Sequence, residues 1–215
     1  DVSRYARGED DRMAKIIMTL LLTLRGTPYI YQGEEIGMRE LRLKRSELHD
    51  PAGKKYFPIY PGRDGCRAPM QWDDSPQAGF STARPWLKLH PDATRRHVRA
   101  QEKDPGSLLH FTRRLIALRK THAALRGGEF IPVLASAHVL AYLRRSEAET
   151  LLVVLHFSRR ARHLTLPPGI LPLVCLLSSA GGATRPAAQE LHLAPLEASL
   201  WSLQQGSGQA PSQTG

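Results

Sequence analysis

The chain has 215 residues, 41% hydrophobic and 23% charged, with 30 Lys+Arg against 20 Asp+Glu for a formal net charge of +10. That balance excludes wholesale disorder and collagen-like repeats, and the length accommodates one or two domains with a sizeable core. Two cysteines, Cys66 and Cys175, are too few for a disulfide framework and lack metal-site spacing, which points to a reducing, cytoplasmic compartment.

Residues 9–25 read as a helix. Asp10 and Asp11 are expected in its first turn, where the macrodipole favours acids. Met13, Ile17, Leu20 and Leu24 fall on one face, with Arg25 at the end and Gly26 as the cap. The nearly apolar run Ile16–Leu24 is shorter than the roughly 20 residues a membrane span needs, and no signal-peptide pattern precedes it. A membrane partner is not expected. The chain starts on Asp1 rather than Met, so it is expected to be a piece of a longer protein. Thr27–Tyr31 is a β-prone run between Gly26 and Gly33, with Pro28 tolerable near its start. A helix feeding a strand through so short a connection is an α/β pattern.

From Gln32 to about Lys103 no periodicity persists, and Pro and Gly are frequent. Loops longer than about 15 residues are usually functional or disordered. This one carries Tyr56, Phe57, Tyr60, Trp72, Phe80 and Trp86, and disordered linkers are poor in aromatics. It reads as an ordered excursion over a surface or a site. Residues 105–125 form the clearest helix, with Asp104 as cap, Pro105 at the first helical position and Gly127-Gly128 as its end. Its apolar stripe is Leu108, Phe111, Leu115, Leu118 and His122. Seven short strands follow: Phe130–Leu134, Val139–Arg144, Leu151–Phe157, His163–Leu166, Leu173–Leu177, Glu190–Leu193 and Ala198–Leu203. Their close spacing suggests an antiparallel sandwich. The polar segment from Gln204 to Gly215 reads as a disordered tail.

The basic excess is spread along the chain, with clusters at Arg95-Arg96 with Arg99 and at Arg113-Arg114 with Arg119-Lys120. The second cluster reads as the solvated face of a helix. No nucleic-acid-binding pattern accompanies either cluster, and no nucleic-acid partner is expected. Four constellations stand out. Asp1 precedes Arg4 by one helical turn and, alone, is only a charged terminus. Glu34-Glu35 follow a candidate strand, where neighbours point to opposite faces, so they suit loop anchoring better than a catalytic pair. Arg63-Asp64-Gly65-Cys66-Arg67 sets two arginines around a tight turn, and such arginines fork-bind carboxylates. Trp72 with Asp73-Asp74 suits a sugar face or simple packing. The nine histidines show no paired metal spacing and read as structural or surface residues. No metal or cofactor is expected.

Gly26-Thr-Pro-Tyr-Ile-Tyr-Gln-Gly-Glu-Glu-Ile-Gly-Met38 closely resembles the eighth barrel strand and following loop of the α-amylase superfamily of glycoside hydrolases. Gly62-Arg-Asp-Gly-Cys-Arg-Ala-Pro-Met-Gln-Trp-Asp-Asp74, then Ala78-Gly-Phe-Ser81 and Pro85-Trp86, resembles the signature of its α-glucosidase and oligo-1,6-glucosidase branch. Leu115-Ile-Ala-Leu-Arg-Lys-Thr-His122 is similar to that branch's last barrel helix. The motifs cover residues 1 to about 130 in the right order and spacing.

The resemblance implies the C-terminal part of a (β/α)8 TIM barrel over 1–126, with a long loop at 32–104, then an antiparallel β-sandwich domain over 127–204 and a tail at 205–215. It implies a retaining α-glucosidase acting on short oligosaccharides of the maltose, isomaltose or sucrose type. Trehalose synthase, isomaltulose synthase and a non-catalytic carbohydrate- or partner-binding protein are the alternatives. Asp1-Val2-Ser3-Arg4 fits the tail of the family's Asn-His-Asp motif. Asp1 would be the third carboxylate, which stabilises the transition state. Arg63 and Arg67 would line the substrate pocket, with Arg4 close by or structural. The nucleophilic Asp and the acid/base Glu would come from earlier strands, so this piece alone is expected to be inactive. Ala68 stands where the branch usually has Thr or Ser.

Overall fold

The computed structural model describes residues 4–5, 10–181 and 189–203. The expected tail and Asp1 lie outside the described residues. The chain divides into two compact units, Asp1–Met18 with Tyr29–Arg114, and Thr19–Pro28 with Leu115–Gly215.

Helix α1 spans Arg12–Thr23. Asp10 and Asp11 therefore stand before its first turn rather than in it. Asp10 accepts the Arg12 N–H at 3.0 Å, and Asp11 pairs with Arg39 and Arg96, each at 2.9 Å. The buried face also differs from expectation. Ala14, Ile16, Met18, Thr19, Leu22 and Thr23 are buried, whereas Met13, Ile17 and Leu20 are intermediate and Leu24 is exposed. A run that is apolar almost all round carries no periodicity to select a face. Residues 27–31 belong to no ladder among the described residues, and Tyr29 is exposed. A β-prone segment becomes a strand only against a partner, which this context does not give it.

In the first unit the irregular stretch is ordered by short pieces. They are α2 (Pro51–Tyr56), α3 (Val98–Glu102) and five 3₁₀ turns between Glu34 and Thr94. Ile36, Met38, Leu41, Ala68, Met70 and Leu109 form its apolar cluster. Arg96 ties the stretch together: it reaches Asp11, Asp92 and the Ile36 carbonyl. Helix α4 spans Leu108–Thr121. Asp104 and Pro105 belong to a turn before it, where Asp104 accepts from Gly106 N–H at 2.8 Å. Ser107 is the residue whose hydroxyl accepts from His110 N–H, at 3.3 Å. Capping thus falls three residues later than expected.

In the second unit the helix breaks at His122, whose backbone is extended, and α5 (Ala123–Gly127) follows. Glu149 accounts for the break: its carboxylate takes the His122 Nδ1 contact at 2.6 Å and the Ala124 N–H at 3.0 Å. Gly128 closes α5, and a Cβ there would lie 2.4 Å from the Ala124 carbonyl and 2.5 Å from that of Arg145. Among the described residues, seven strands then appear where the alternation places them, as β1 (Glu129–Ala135), β2 (Val139–Arg145), β3 (Thr150–His156), β4 (Arg162–Thr165), β5 (Pro172–Ser178), β6 (Glu190–Leu193) and β7 (Glu197–Leu203). All pairings are antiparallel, in a five-stranded sheet ordered β1-β2-β3-β7-β5 and a two-stranded sheet β4-β6. Val139, Ala141, Leu143, Leu152, Val154 and Trp201 of the larger sheet share one core with Leu164, Leu191 and Leu193 of the smaller. That is the period-two face expected of packed sheets. Leu151, Val153 and Leu155, on the opposite face of β3, are also buried.

Arg144 of β2 has no exposed surface. It donates to the carbonyls of Thr23, Gly128 and Glu129. Burial, and then the charge of Arg119, pull its guanidinium below the usual arginine range. Beside it the Tyr142 and Thr23 hydroxyls bond at 2.5 Å, and burial pushes the phenol up to about 12. Each buried carbonyl stripped of its donor costs about 1–3 kcal/mol. Arg144→Met should therefore lower the unfolding free energy by about 3 kcal/mol in urea titrations followed by circular dichroism. Arg145→Met, at an exposed neighbour, should change it by less than about 0.5 kcal/mol. Equal effects from the two would show that these carbonyls do not depend on Arg144.

Candidate active site

Residues 31–41 and 62–68 are bonded together into one platform. Gly33, with φ at 84°, turns the chain so sharply that a Cβ would sit 2.2 Å from the Met38 sulfur. The Met38 N–H returns to the Gly33 carbonyl at 2.8 Å. Glu34 and Glu35 thus lie in a 3₁₀ turn and not on a strand end. Glu34 is buried and accepts the Tyr31 N–H at 3.0 Å, which is the loop-anchoring role expected of it. Burial pushes its carboxyl above the usual range.

The arginine-bearing turn is a 3₁₀ turn, Asp64–Arg67. Its Gly65 carbonyl accepts the Leu41 N–H at 2.9 Å, and a Cβ on Gly65 would lie 2.6 Å from Glu40 Oε1. Asp64 is buried and accepts the N–H groups of His49 and Asp50, at 2.5 and 2.8 Å. The Cys66 thiol donates to the Arg63 carbonyl at 3.0 Å. Asp50 accepts the Arg63 N–H at 3.0 Å and caps α2 through the Ala52 N–H at 3.0 Å. The turn is therefore held from inside by main-chain donors reaching two carboxylates.

The predicted site residues divide by burial. Arg63 flanks the turn with a side chain 53% exposed, and its Nε lies 3.4 Å from Asp50 Oδ2. Arg67 is half-buried. Its charge acts on the Tyr31 hydroxyl, whose pKa burial raises first, with Arg4 and Arg67 opposing. Arg4 is buried; it donates to the Gln32 carbonyl at 2.5 Å and the Cys66 carbonyl at 2.8 Å, and its guanidinium stacks 4.8 Å from the Tyr31 ring. It joins the two segments through their carbonyls. Asp1 lies outside the described residues. A cavity of about 280 Å³ adjoins the turn at Gly62 and Gly65, and Arg4, Arg63 and Arg67 do not line it. Trp72 is half-exposed, while Asp73 and Asp74 bond Ser75 and Arg99, which makes them loop anchors.

Sequence reasoning missed Asp50. The signal was there: Asp before Pro51 is a helix cap with proline at the first position, and a cap carboxylate is well placed to take a further N–H. It also missed Glu40, which accepts the Arg4 N–H at 2.7 Å.

Residues 2–128 match the family model for the alpha amylase catalytic domain. The chain belongs to the alpha-amylase catalytic-domain family. Among curated members of the alpha-amylase family, it is 42% identical over 168 residues to a probable alpha-glucosidase of Rhizobium meliloti (strain 1021), covering 77% of this chain and 30% of that protein. It is 33% identical over 227 residues to an oligo-1,6-glucosidase of Parageobacillus thermoglucosidasius, covering 94% of this chain and 40% of that one. Among solved structures, the trehalulose synthase MutB from Pseudomonas mesoacidophila MX-45 superposes with a TM-score of 0.82 at 34% identity, over 90% of this chain and 38% of that one. The isomaltulose synthase PalI from Klebsiella sp. LX3 gives 0.84 at 29% identity, again over 90% and 38%. The chain thus spans well under half the length of the alpha-amylase family members it matches. Among the described residues, no helix is long and apolar enough to cross a membrane.

The Asp50 contacts generate a pH dependence. Hydrogen bonding from the Arg63 N–H holds this carboxyl below its ordinary value. The unfolded chain binds that proton at higher pH than the folded chain, so stability rises with pH through the window between them. The contribution is complete above the ordinary aspartate range and is lost as pH falls through the folded value. In thermal melts from pH 2 to 6, Asp50→Asn should flatten the acid limb. A limb of unchanged steepness would show that Asp50 does not hold the turn.

Proposed function

We propose that the chain is the C-terminal portion of a retaining α-glucosidase that cleaves terminal α-glucosidic bonds of short oligosaccharides. The observation that carries this reading is the platform of residues 31–41 and 62–68, which presents Arg63 and Arg67 on an internally fixed turn. In this reading residues 1–126 complete a (β/α)8 barrel and residues 127–204 form a terminal β-sandwich domain. Asp1 supplies the third carboxylate, accepting hydrogen bonds from sugar hydroxyls and supporting the transition state. Arg63 and Arg67 meet substrate hydroxyls and a pocket carboxylate. Arg4 acts as a pin beneath them.

The chemistry sets what else is needed. A retaining glycosidase places a nucleophile and an acid/base roughly 5–5.5 Å apart across the anomeric carbon. Barrel enzymes draw such groups from the C-terminal ends of different strands. In this reading both come from earlier strands than those in this chain, and the substrate is a maltose-, isomaltose- or sucrose-type glucoside. A rearranging enzyme is the second reading, favoured by the likeness to trehalulose and isomaltulose synthases, one of them solved with the substrate sucrose. Product analysis separates the two: with maltose and sucrose as substrates, free glucose without an isomeric disaccharide supports the hydrolase. An isomeric disaccharide as main product supports the second reading.

Two substitutions test the residue roles in enzyme restored with its earlier strands. Arg67→Lys should lower kcat/KM more than about tenfold, or roughly 1.4 kcal/mol, because lysine lacks the two parallel donors of a guanidinium. Unchanged kcat/KM in active-site-titrated enzyme would remove Arg67 from the substrate site. Asp1→Asn should lower kcat at least about a hundredfold, since charge-assisted bonds that tighten in the transition state reduce the barrier. A near-normal kcat would reject Asp1 as the third carboxylate. The 215-residue chain alone should not turn over nitrophenyl α-glucoside, and turnover proportional to its concentration would contradict the assignment of nucleophile and acid/base to earlier strands.

A further inference from the structure

Arg119 sits at the end of α1 and donates to the carbonyls of Leu22 at 2.7 Å, Leu24 at 3.2 Å and Gly26 at 2.6 Å. Beside it opens a groove of about 510 Å³ within the second unit. Three arginines line it, Arg25, Arg119 and Arg126, together with Gly26, Thr27 and Gly127. No lining residue is acidic. Arg25 and Arg126 are exposed, and among the described residues neither pairs with a carboxylate. Arg144 adds a fourth positive charge close by, buried and bonded only to carbonyls among the partners described for it. Like charges gathered on one concave surface repel, and an anion placed among them relieves that repulsion. Arg25 and Arg119 do act on Arg144 in this sense, each disfavouring its charged form.

We propose that this groove is an oxyanion-binding site whose ligand carries a phosphate group. Guanidinium forks offer paired donors at the spacing of tetrahedral oxyanion oxygens. Arg25 and Arg126 supply these forks, Thr27 adds a hydroxyl, and Arg119, held by three carbonyls, contributes its fixed charge. The proposal goes beyond the sugar-cleaving reading and concerns the second unit, in which all the groove's residues lie.

Isothermal titration of the 215-residue chain with inorganic phosphate, at ionic strength held constant with chloride, tests the proposal. A saturable one-site isotherm is expected. The double variant Arg25→Gln/Arg126→Gln should weaken it at least tenfold while leaving the circular-dichroism unfolding curve in place, since the fold uses neither side chain. Arg159→Gln/Arg160→Gln removes the same charge at two exposed positions that do not line the groove, and it should bind as the parent does. A second arm compares glucose 6-phosphate with glucose. Tighter binding of the ester than of inorganic phosphate identifies a phosphate monoester as ligand, and the reverse order identifies free phosphate. Absence of saturable binding by both phosphate species, or equal weakening by the two double variants, would overturn the proposal.

Discussion

The Arg144 guanidinium is fully buried and gives its donors to the carbonyls of Thr23, Gly128 and Glu129. Those carbonyls end α1, close α5 and begin β1, where regular hydrogen bonding stops or starts. A buried carbonyl without a donor is costly, and every chain that turns in its interior must solve the problem. This chain solves it repeatedly with arginine. Arg4 reaches Gln32 and Cys66, Arg39 reaches Gly37 and Arg96 reaches Ile36; Arg119 does the same nearer the surface for Leu22, Leu24 and Gly26. A guanidinium suits the task because it offers five donors in a rigid plane and is weakly hydrated for a cation. Lysine, a compact and strongly hydrated charge, would lose more on burial.

This use of arginine changes the meaning of the +10 charge. Read as composition, the excess suggests a surface for polyanions, and the Arg113–Lys120 cluster suggests a solvated helix face. In the structure Arg4, Arg39, Arg96 and Arg144 are largely withdrawn from solvent and serve the backbone. Arg119 belongs to the cluster by sequence yet spends its donors on the end of α1. A cluster that does reach the surface is the groove of Arg25, Arg119 and Arg126. Charge counting registers how many cations a chain carries, and only the fold decides which of them face water.

Legibility in the sequence followed the same divide between local and non-local causes. The strands were legible because alternation and turn residues are local, and the Gly127-Gly128 stop was legible from residue type, although what demands glycine at 128 is in part the approach of the sequence-distant Arg145 carbonyl. The buried face of α1 was not, because Ile16–Leu24 has too few polar positions to mark an outside. Thr27–Tyr31 misled because β propensity describes a preference that a partner strand must realise. Ser107 replaced Asp104 as the residue over the first turn of α4, although the text of the sequence ranks Asp104-Pro105 higher. At the site, the Arg63–Arg67 turn and the anchoring role of Glu34 were legible from residue types. The pairing of that turn with Leu41, and the reach of Arg4 across it, depend on contacts more than 20 residues apart and left no local trace.

The geometry of the turn also separates buried from accessible residues within a five-residue stretch. Asp64, Gly65 and Cys66 are buried, and each is fixed by a different constraint: Asp64 by two amide donors, Gly65 by the approach of Glu40 and Leu41, Cys66 by its thiol bond to Arg63. Arg63 and Arg67 flank them and are not buried. A binding side chain needs both conditions at once, a backbone that does not move and a head group that water or ligand can reach. Arg4 has the first without the second, since its donors end on Gln32 and Cys66 in the interior. Arg63 keeps access while Asp50 limits its swing. Burial therefore separates a guanidinium spent on backbone carbonyls, as in Arg4, from one left within reach of water, as in Arg63, although the residue type is the same.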